Sequence, residues 1–394
     1  MSHKVAGIAL FFTTFLILYG SLHLYAFSKV KRALSFDIRI NVLIICFMVA
    51  MILSPFVVHL FSRSESESLV RILAYISYTW MGFLFLFVSL SFAFDVYRFF
   101  IYMIGIILQR DLAGLIPRPL FSFLISFSLS ILIVFYGFFE AVHVHTERLI
   151  IETSKIPENS EGLKIVQISD VHLGLIVREK RLRRIINAVK RENPDILVST
   201  GDLLDGDIDN ISPLADMLRE IRPKYGSFAV TGNHEYYAGL DQAIDFTVKA
   251  GFSVLRGESL AISKLITLAG VDDATGGGKF SQVVSEEDLL SRLPREQFTL
   301  LLKHRPVIDK RSAGLFDLQL SGHTHGGQIF PFSLITGLLF PTDGGLFEIS
   351  NSSYLYVSRG AGTWGPPIRF LSPPEVTVIE LVYKNNKSRK TIPP

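Results

Sequence analysis

The chain has 394 residues, of which 49% are hydrophobic and 19% charged, with a formal net charge of +3 at pH 7. So small a net charge, without a stripe of basic and aromatic residues, argues against nucleic acid as a partner. The single cysteine, Cys46, excludes an intrachain disulfide framework and a cysteine-based zinc site. A chain of this length predicts more than one structural unit.

Hydrophobic residues are concentrated in the first 145 positions, where four apolar stretches follow one another. Each is about 20 residues long, enough to cross a hydrocarbon core of roughly 30 Å. The predicted spans are residues 5–27, 41–61, 72–93 and 120–141. A signal peptide is the alternative for the first stretch, but residues 1–4 are weakly charged and no small-residue cleavage site follows. Residues 99–108 are too short to span, so they are interfacial or extend the third helix.

The basic residues of the loops predict an orientation in the membrane. Seven of them fall in the loop after the first span and in the segment between the third and fourth spans: Lys29, Lys31, Arg32, Arg39, Arg98, Arg110 and Arg118. Because positive loops stay in the cytoplasm, both termini would face outward. We therefore expect an integral protein of the cell (inner) membrane, in contact with the lipid bilayer, with its large C-terminal domain outside the cytoplasm.

Beyond the spans, the composition becomes that of a globular domain. The predicted organisation is a transmembrane region at 1–150, a connector at 151–162, a globular domain at 163–383 and a polar, disordered tail at 384–394. Apolar runs predict strands at 164–169, 195–199, 227–231, 298–302, 316–320, 354–358 and 376–383. Helical patterns between the first strands, at 178–191, 212–221 and 240–250, predict an α/β fold with crossover connections. Two packed sheets flanked by helices accommodate the β-rich second half.

Polar clusters follow five of the predicted strands. Ligands of open α/β sheets bind beyond the carboxyl ends of strands, so these clusters are expected to meet in one crevice. Residues 146–394 contain five of the ten histidines, and all five lie in these clusters: His172, His234, His304, His323 and His325. The clusters also carry Asp170, Asp202, Asp205, Asn233 and Glu235.

Histidine, aspartate and asparagine without cysteine form a ligand set that suits Mn, Fe, Zn or similar divalent ions. The seven or eight donors exceed what one ion takes. Two ions about 3.5–4 Å apart that share one carboxylate would use them all. The sequence therefore predicts a site with two divalent metal ions.

These motifs together resemble the calcineurin-like metallophosphoesterase family. They are Asp170-x-His172, Gly201-Asp202-x-x-Asp205, Gly232-Asn233-His234-Glu235, His304 and Gly322-His323-x-His325, in the family's order. The resemblance covers residues 163–383 and implies a two-sheet β-sandwich flanked by helices. It also implies that Asp170, His172 and His325 hold one metal, that Asp202 bridges, and that Asn233, His304 and His323 hold the second. His234 would be the catalytic general acid or orient the phosphate.

Other polar residues of the clusters keep two interpretations. Asp205 and Glu235 either orient metal ligands or stabilise turns. Arg305, Arg359 and Arg369 either contact a substrate phosphate or are solvated or structural arginines. Trp364, in the turn-rich stretch 358–367, either stacks on a substrate or covers the core.

The resemblance implies a membrane-anchored phosphoesterase, a phosphodiesterase or pyrophosphatase that hydrolyses phosphate esters with a hydroxide activated by two metals. It is nearest to a membrane-associated bacterial branch, some members of which resemble phosphodiesterases acting on UDP-2,3-diacylglucosamine or other lipid-linked phosphates. An outward-facing domain and a cytoplasmic UDP-sugar substrate are difficult to reconcile. The alternative function is a non-catalytic membrane sensor or scaffold with a structural metal site. A scaffold that had lost catalysis would be expected to lack a ligand or His234, and none is missing.

Overall fold

The computed structural model describes residues 2–62, 67–158, 160, 162–206, 211–263, 265–276, 284–350 and 353–384. Side-chain environments are described from residue 10 onward, except at residue 11. The chain divides into two compact units, Met1–Phe138 with Gly365–Ile368, and Phe139–Trp364 with Arg369–Pro394. Apart from Lys384, the predicted polar tail lies outside the described residues.

The first unit is built from long apolar helices. They are α1 (Ser2–Leu34), α2 (Ile38–Phe61), α3 (Glu67–Leu108) and α4 (Pro119–Glu140). In the described part of the chain, three segments are long and apolar enough to cross a membrane: Ile38–Phe61, Glu67–Leu108 and Ala113–Glu140. Four spans were predicted; the first lies in α1, where several side chains fall outside the description. Residues 99–108 extend the third helix.

Small residues line the buried face of α4. Ser122, Ser126 and Ser130 recur every four residues and are buried, and Gly137 continues the same face. The Ser130 hydroxyl donates to the Ser126 carbonyl at 2.6 Å, so it is satisfied within the helix. Such small side chains let helices approach closely in hydrocarbon, where packing rather than the hydrophobic effect drives association.

The second unit contains two six-stranded sheets. The first has the spatial order β1 (His145–Thr153), β12 (Glu375–Tyr383), β2 (Leu163–Ile168), β3 (Ile196–Ser199), β4 (Ser227–Ala229) and β5 (Phe252–Val254). The second has the order β10 (Gly345–Ser350), β11 (Ser353–Val357), β9 (Leu318–Ser321), β8 (Phe298–Leu302), β7 (Ile266–Gly270) and β6 (Glu258–Ile262). The helices are α5 (Glu179–Glu192), α6 (Ser212–Leu218), α7 (Asn233–Ala238), α8 (Leu240–Lys249), α9 (Glu286–Ser291) and α10 (Phe332–Leu339).

The two sheets share one hydrophobic core. Ile165 and Val198 of the first sheet belong to the same buried cluster as Leu268 and Leu300 of the second. The helix α5 buries an apolar face at helical spacing, formed by Leu182, Ile185, Ile186 and Val189. The predicted α/β fold, with two packed sheets and flanking helices, is confirmed.

The second unit has two features that the sequence did not predict. The strand β1 pairs in parallel with β12, so the first sheet begins in residues that were assigned to the transmembrane region (1–150) and the connector (151–162), ahead of the predicted globular domain at 163. The helix α10 follows the last polar cluster, in a stretch predicted to contain little helix. The domain boundaries themselves stay predictions.

The strand register aligns the carboxyl ends of neighbouring strands. In the first sheet, Ile168 pairs with Ser199 and Ser199 pairs with Ala229, all in parallel strands. In the second, Leu302 of β8 pairs with Leu320 of β9, again in parallel. The polar residues after these strands therefore emerge at common sheet edges, as predicted.

Candidate metal centre

The backbone at the strand ends adopts an unusual conformation. Asp170, His172, Asp202, His323 and His325 all have positive φ, between 50° and 73°. Residues other than glycine are uncommon in this region, and its cost is of order 1–3 kcal/mol for each residue. The surrounding fold therefore holds five of the predicted metal ligands in conformations that the chain would not adopt locally.

Two glycines make room for the carboxylates. A Cβ on Gly232 would lie 2.1 Å from Asp202 Oδ1, and one on Gly322 would lie 2.1 Å from Asp170 Oδ2. Neither distance is sterically possible, so both motifs require glycine. The backbone N–H of His323 then donates to Asp170 Oδ1 at 3.0 Å.

One group of donors contains Asp170, His172 and His325. The Nε2 atoms of the two histidines lie 3.0 Å apart. His325 Nε2 is 3.5 Å from Asp170 Oδ1, and all three side chains are buried. Because two neutral imidazoles facing each other share at most one proton, a cation that accepts both lone pairs fits this arrangement.

A second group contains Asp202, His304 and His323, with Asn233 beside them. His304 Nε2 lies 3.2 Å from Asp202 Oδ2, 3.2 Å from Asn233 Oδ1 and 3.1 Å from His323 Nδ1. His304 Nδ1 is 2.8 Å from the Thr200 carbonyl, to which it can donate. A hydrogen bond on the far nitrogen is typical of a metal-binding histidine, because it fixes the ring and leaves the other nitrogen as a ligand.

Asp202 lies between the two groups. Its Oδ2 is 3.2 Å from His304 Nε2 and 3.8 Å from His172 Nε2, and its carboxylate is buried. Its other oxygen, Oδ1, accepts the backbone N–H of His234 at 2.9 Å. One carboxylate therefore faces both donor groups.

The buried charges shift the pKa values of the second group in opposite directions. Burial by itself would lower the pKa of His304, but the Asp202 and Asp170 carboxylates outweigh it and raise that pKa to about 10. Burial would raise the pKa of the Asp202 carboxyl, but His304 holds it below its usual range. Burial, followed by repulsion from His304, lowers the pKa of His323 to about 4. These shifts favour a protonated His304 paired with an ionised Asp202.

His234 stands beside the donors with its ring facing His172. The ring centroids are 4.6 Å apart and nearly perpendicular, and His234 Nδ1 is 3.0 Å from the Asp205 carbonyl oxygen. Burial would lower the pKa of His234, but Asp205 and Asp202 raise it to about 9. The ring centroids of Tyr237 and Trp364 lie 5.4 and 6.1 Å from that of His234, and both of these side chains are exposed.

Asp205, which is partly exposed, and Glu235, which is buried, both contact residues of the motifs. Asp205 Oδ1 lies 3.1 Å from His172 Nδ1, a contact that orients this imidazole. The buried Glu235 carboxylate accepts four backbone N–H groups, from Asp202, Leu203, Leu204 and Gly232. It therefore supports the turn that carries Asp202.

The arginines near the centre have partners within the protein. Arg305 Nε donates to Asp273 Oδ2 at 2.8 Å, and Arg359 Nε donates to Glu375 at 2.5 Å. A role of Arg305 and Arg359 in substrate binding stays a prediction.

Of the two interpretations of Arg369, the structural role fits its surroundings. It is fully buried, and its guanidinium donates to the backbone carbonyls of Gly362, Arg359, Ser372 and His325. It thereby supports the loop that carries His325. No local sequence signal distinguishes this arginine from a surface one.

The sequence profile described as Calcineurin-like phosphoesterase matches residues 163–327. A metallophosphoesterase of Aquifex aeolicus (strain VF5) is 44% identical over 260 residues, which are 66% of this chain and 99% of that protein. A metallophosphoesterase of Campylobacter jejuni is 29% identical over 381 residues, 93% of this chain and 96% of the relative. A transmembrane protein with a metallophosphoesterase domain, from Danio rerio, is 34% identical over 248 residues, 59% of this chain and 56% of the relative.

The fold and the donor groups define a metal-dependent phosphoric ester hydrolase. The chain belongs to the calcineurin-like metallophosphoesterase family, and in its described part it also contains three helices long and apolar enough to cross a membrane.

Proposed function

We propose that the protein is a membrane-anchored phosphodiesterase or pyrophosphatase that works with two divalent cations. The position of Asp202 carries the proposal, because one carboxylate faces His172 of the first donor group and His304 of the second. Asp170, His172 and His325 would hold one cation, and Asn233, His304 and His323 the other. Asp202 would contribute to both.

Cations bound there supply positive charge to a phosphate and make a water molecule more acidic. The side chains around them would divide the remaining tasks. His234 is buried beside His172, and the neighbouring carboxylates raise its pKa to about 9, so it is suited to protonate a leaving oxygen. Asp205 would keep the rings of His172 and His234 in place, since it contacts both.

The membrane helices favour a phosphoester that is itself associated with the bilayer, such as a lipid-linked or UDP-sugar-lipid substrate. We further propose that the catalytic domain lies outside the cytoplasm, on the strength of the seven basic residues of the opposite loops. Fusions of alkaline phosphatase and of green fluorescent protein to the C-terminus of the full chain test this orientation. Active phosphatase with dark fluorescent protein is expected, and the reverse pattern would contradict the proposal.

Hydrolysis of bis-p-nitrophenyl phosphate by the full-length protein with added Mn²⁺ tests the activity. The wild type should hydrolyse this diester at least about tenfold faster than the monoester p-nitrophenyl phosphate, because tenfold corresponds to the loss of a single good contact. The Asp202→Ala and His234→Ala variants should lose the activity. The exposed His145 provides a matched control, His145→Ala, that should keep it. Equal hydrolysis by all four proteins would overturn the proposed function.

A further inference from the structure

The helix α10 has its apolar side chains on the outside. Within α10, all of whose residues are described, Thr336 is the buried residue. Leu338, Leu339 and Leu334 are 84%, 71% and 63% exposed, and Ile335 and Phe332 are exposed as well. A helix of a globular domain normally buries such residues and exposes the polar ones, so the pattern of α10 is inverted.

The buried polar side chain of this helix, Thr336, has hydrogen-bond partners within the domain. The Thr336 hydroxyl donates to the Ser333 carbonyl or to Asp343 Oδ2, each at 3.1 Å. Residues 329–341 contain no charged side chain. The exposed surface therefore offers hydrocarbon without charges, as a segment in contact with lipid requires.

The helix is also part of the wall of the metal centre. A Cβ on Gly327 would lie 2.3 Å from the backbone of Ser333, so the loop that carries His325 packs directly on the first turn of α10. At the other end, the ring of Phe340 lies 5.3 Å from the ring of His323. The apolar helix thus begins and ends beside metal-ligand histidines.

Val248 on α8 is also exposed, but it is a single residue of that helix, and single exposed apolar side chains are ordinary on protein surfaces. Near α10 the apolar surface continues. The Phe330 N–H donates to the Phe370 carbonyl, which places the exposed Leu371 next to the exposed Phe330.

We propose that α10 is an interfacial helix that inserts its apolar face into the bilayer occupied by the spans of the same chain. Helices that lie in the membrane interface bury an apolar face at the boundary of headgroups and acyl chains. The same chain contains helices long and apolar enough to cross a bilayer. Residues 141–144 alone separate α4 from β1 along the sequence. The bilayer is favoured over a protein partner because residues 329–341 offer no charged side chain for the polar rim that protein interfaces have.

Insertion of α10 holds the metal centre at the membrane surface. A phosphoester whose acyl chains remain in the bilayer then reaches His323 and His325 without leaving the membrane. This access of a lipid substrate rests on the proposed function, whereas the insertion of α10 does not.

Lipid-borne quenchers test the insertion directly. In a Cys46→Ser background, Leu338→Cys is labelled with an environment-sensitive fluorophore and the full-length protein is placed in phospholipid nanodiscs. The exposed residue Glu296, changed to Cys, carries the label in the control. Lipids with nitroxide-labelled acyl chains should quench the label at 338 by at least about half, and aqueous iodide should quench the label at 296 instead. Iodide quenching at 338 overturns the proposal, and so does shielding from both quenchers, which indicates a second copy or another protein.

A pair of matched substrates tests the consequence for activity. Phosphatidyl-p-nitrophenol in the nanodisc is compared with soluble bis-p-nitrophenyl phosphate. The variant with Leu338→Asp and Leu339→Asp should lower the ratio of lipid to soluble hydrolysis at least about tenfold, whereas Val248→Asp should change it less than about twofold. An unchanged ratio, or wild-type activity on the soluble ester alone, overturns lipid access through α10. If the wild type hydrolyses neither ester, the proposed function fails while the quenching result still decides the insertion.

Discussion

Asp202 and His304 form a buried pair in which the carboxylate Oδ2 lies 3.2 Å from the imidazole Nε2. The two residues are 102 positions apart, yet each shifts the pKa of the other towards its charged form. A cation bound between these two side chains would replace the proton on His304 as the positive partner of the Asp202 carboxylate.

Replacement of Asp202 by Asn should remove the shared ligand. The amide keeps the shape of the side chain but carries no negative charge towards His172 and His304. We expect the hydrolysis of bis-p-nitrophenyl phosphate to fall at least about 100-fold and the bound Mn²⁺, measured by mass spectrometry, to fall below that of the wild type. Asp216→Asn, at an exposed position of α6, is the control. Wild-type metal content in Asp202→Asn would refute the shared role.

His234→Ala should separate proton transfer from metal binding. His234 contacts Asp205 and the ring of His172, and these three side chains form a third group of possible donors, apart from the Asp170 and Asp202 groups to which the two cations are assigned. We expect kcat to fall by roughly 10²–10⁴-fold, the usual contribution of general acid catalysis. Metal content should stay that of the wild type. Loss of metal together with activity would instead make His234 a ligand.

Glu235→Gln should destabilise the turn of Asp202. The carboxylate accepts four N–H groups, and an amide would direct its own N–H₂ at some of them. Buried donors left without partners cost about 1–3 kcal/mol each, so the thermal midpoint should fall by about 5 °C or more. Differential scanning fluorimetry measures the change. The exposed Glu296→Gln should leave the midpoint within about 1 °C.

Arg369→Lys should weaken the support of the His325 loop. The guanidinium reaches several carbonyls at once in a planar arrangement that an ammonium cannot reproduce. We expect a loss of about 2–4 kcal/mol in the free energy of unfolding, seen as a lower thermal midpoint, and weaker Mn²⁺ binding by calorimetry. The control is Arg311→Lys, because Arg311 lies on the surface in a pair with Asp309. Tolerance of the lysine at 369 would show that the carbonyls are satisfied in another way.

Removal of divalent metal should inactivate and destabilise the protein reversibly. A ligand that binds the folded state alone stabilises it by about 2.7 kcal/mol at a concentration 100 times its Kd. Treatment with a chelator should therefore lower the thermal midpoint, and added Mn²⁺ should restore both midpoint and activity. In Asp202→Asn the same addition should raise the midpoint less. A midpoint that is independent of metal would contradict a metal centre in this fold.

The sequence by itself determined the order of the strand-end motifs, the kinds of ligand atoms and most of the strands around them. Apolar runs such as 298–302 are local signals, and the carboxyl ends of parallel strands must share an edge. Hydropathy also placed the second, third and fourth spans, since about 20 apolar residues in a row have few other stable environments.

Only the tertiary structure decided which distant residues meet and which surfaces remain uncovered. His172 and His325 are 153 positions apart, and no local pattern encodes their 3.0 Å contact. Arg369 cannot be told from a surface arginine until the carbonyls around it are known. The strand β1 falls at the end of the predicted transmembrane region and the start of the connector, and only its pairing with β12 makes it part of a sheet. The α10 segment has the composition of a core helix. Composition reports how strongly residues avoid water, but the fold decides whether protein or lipid is available to cover them.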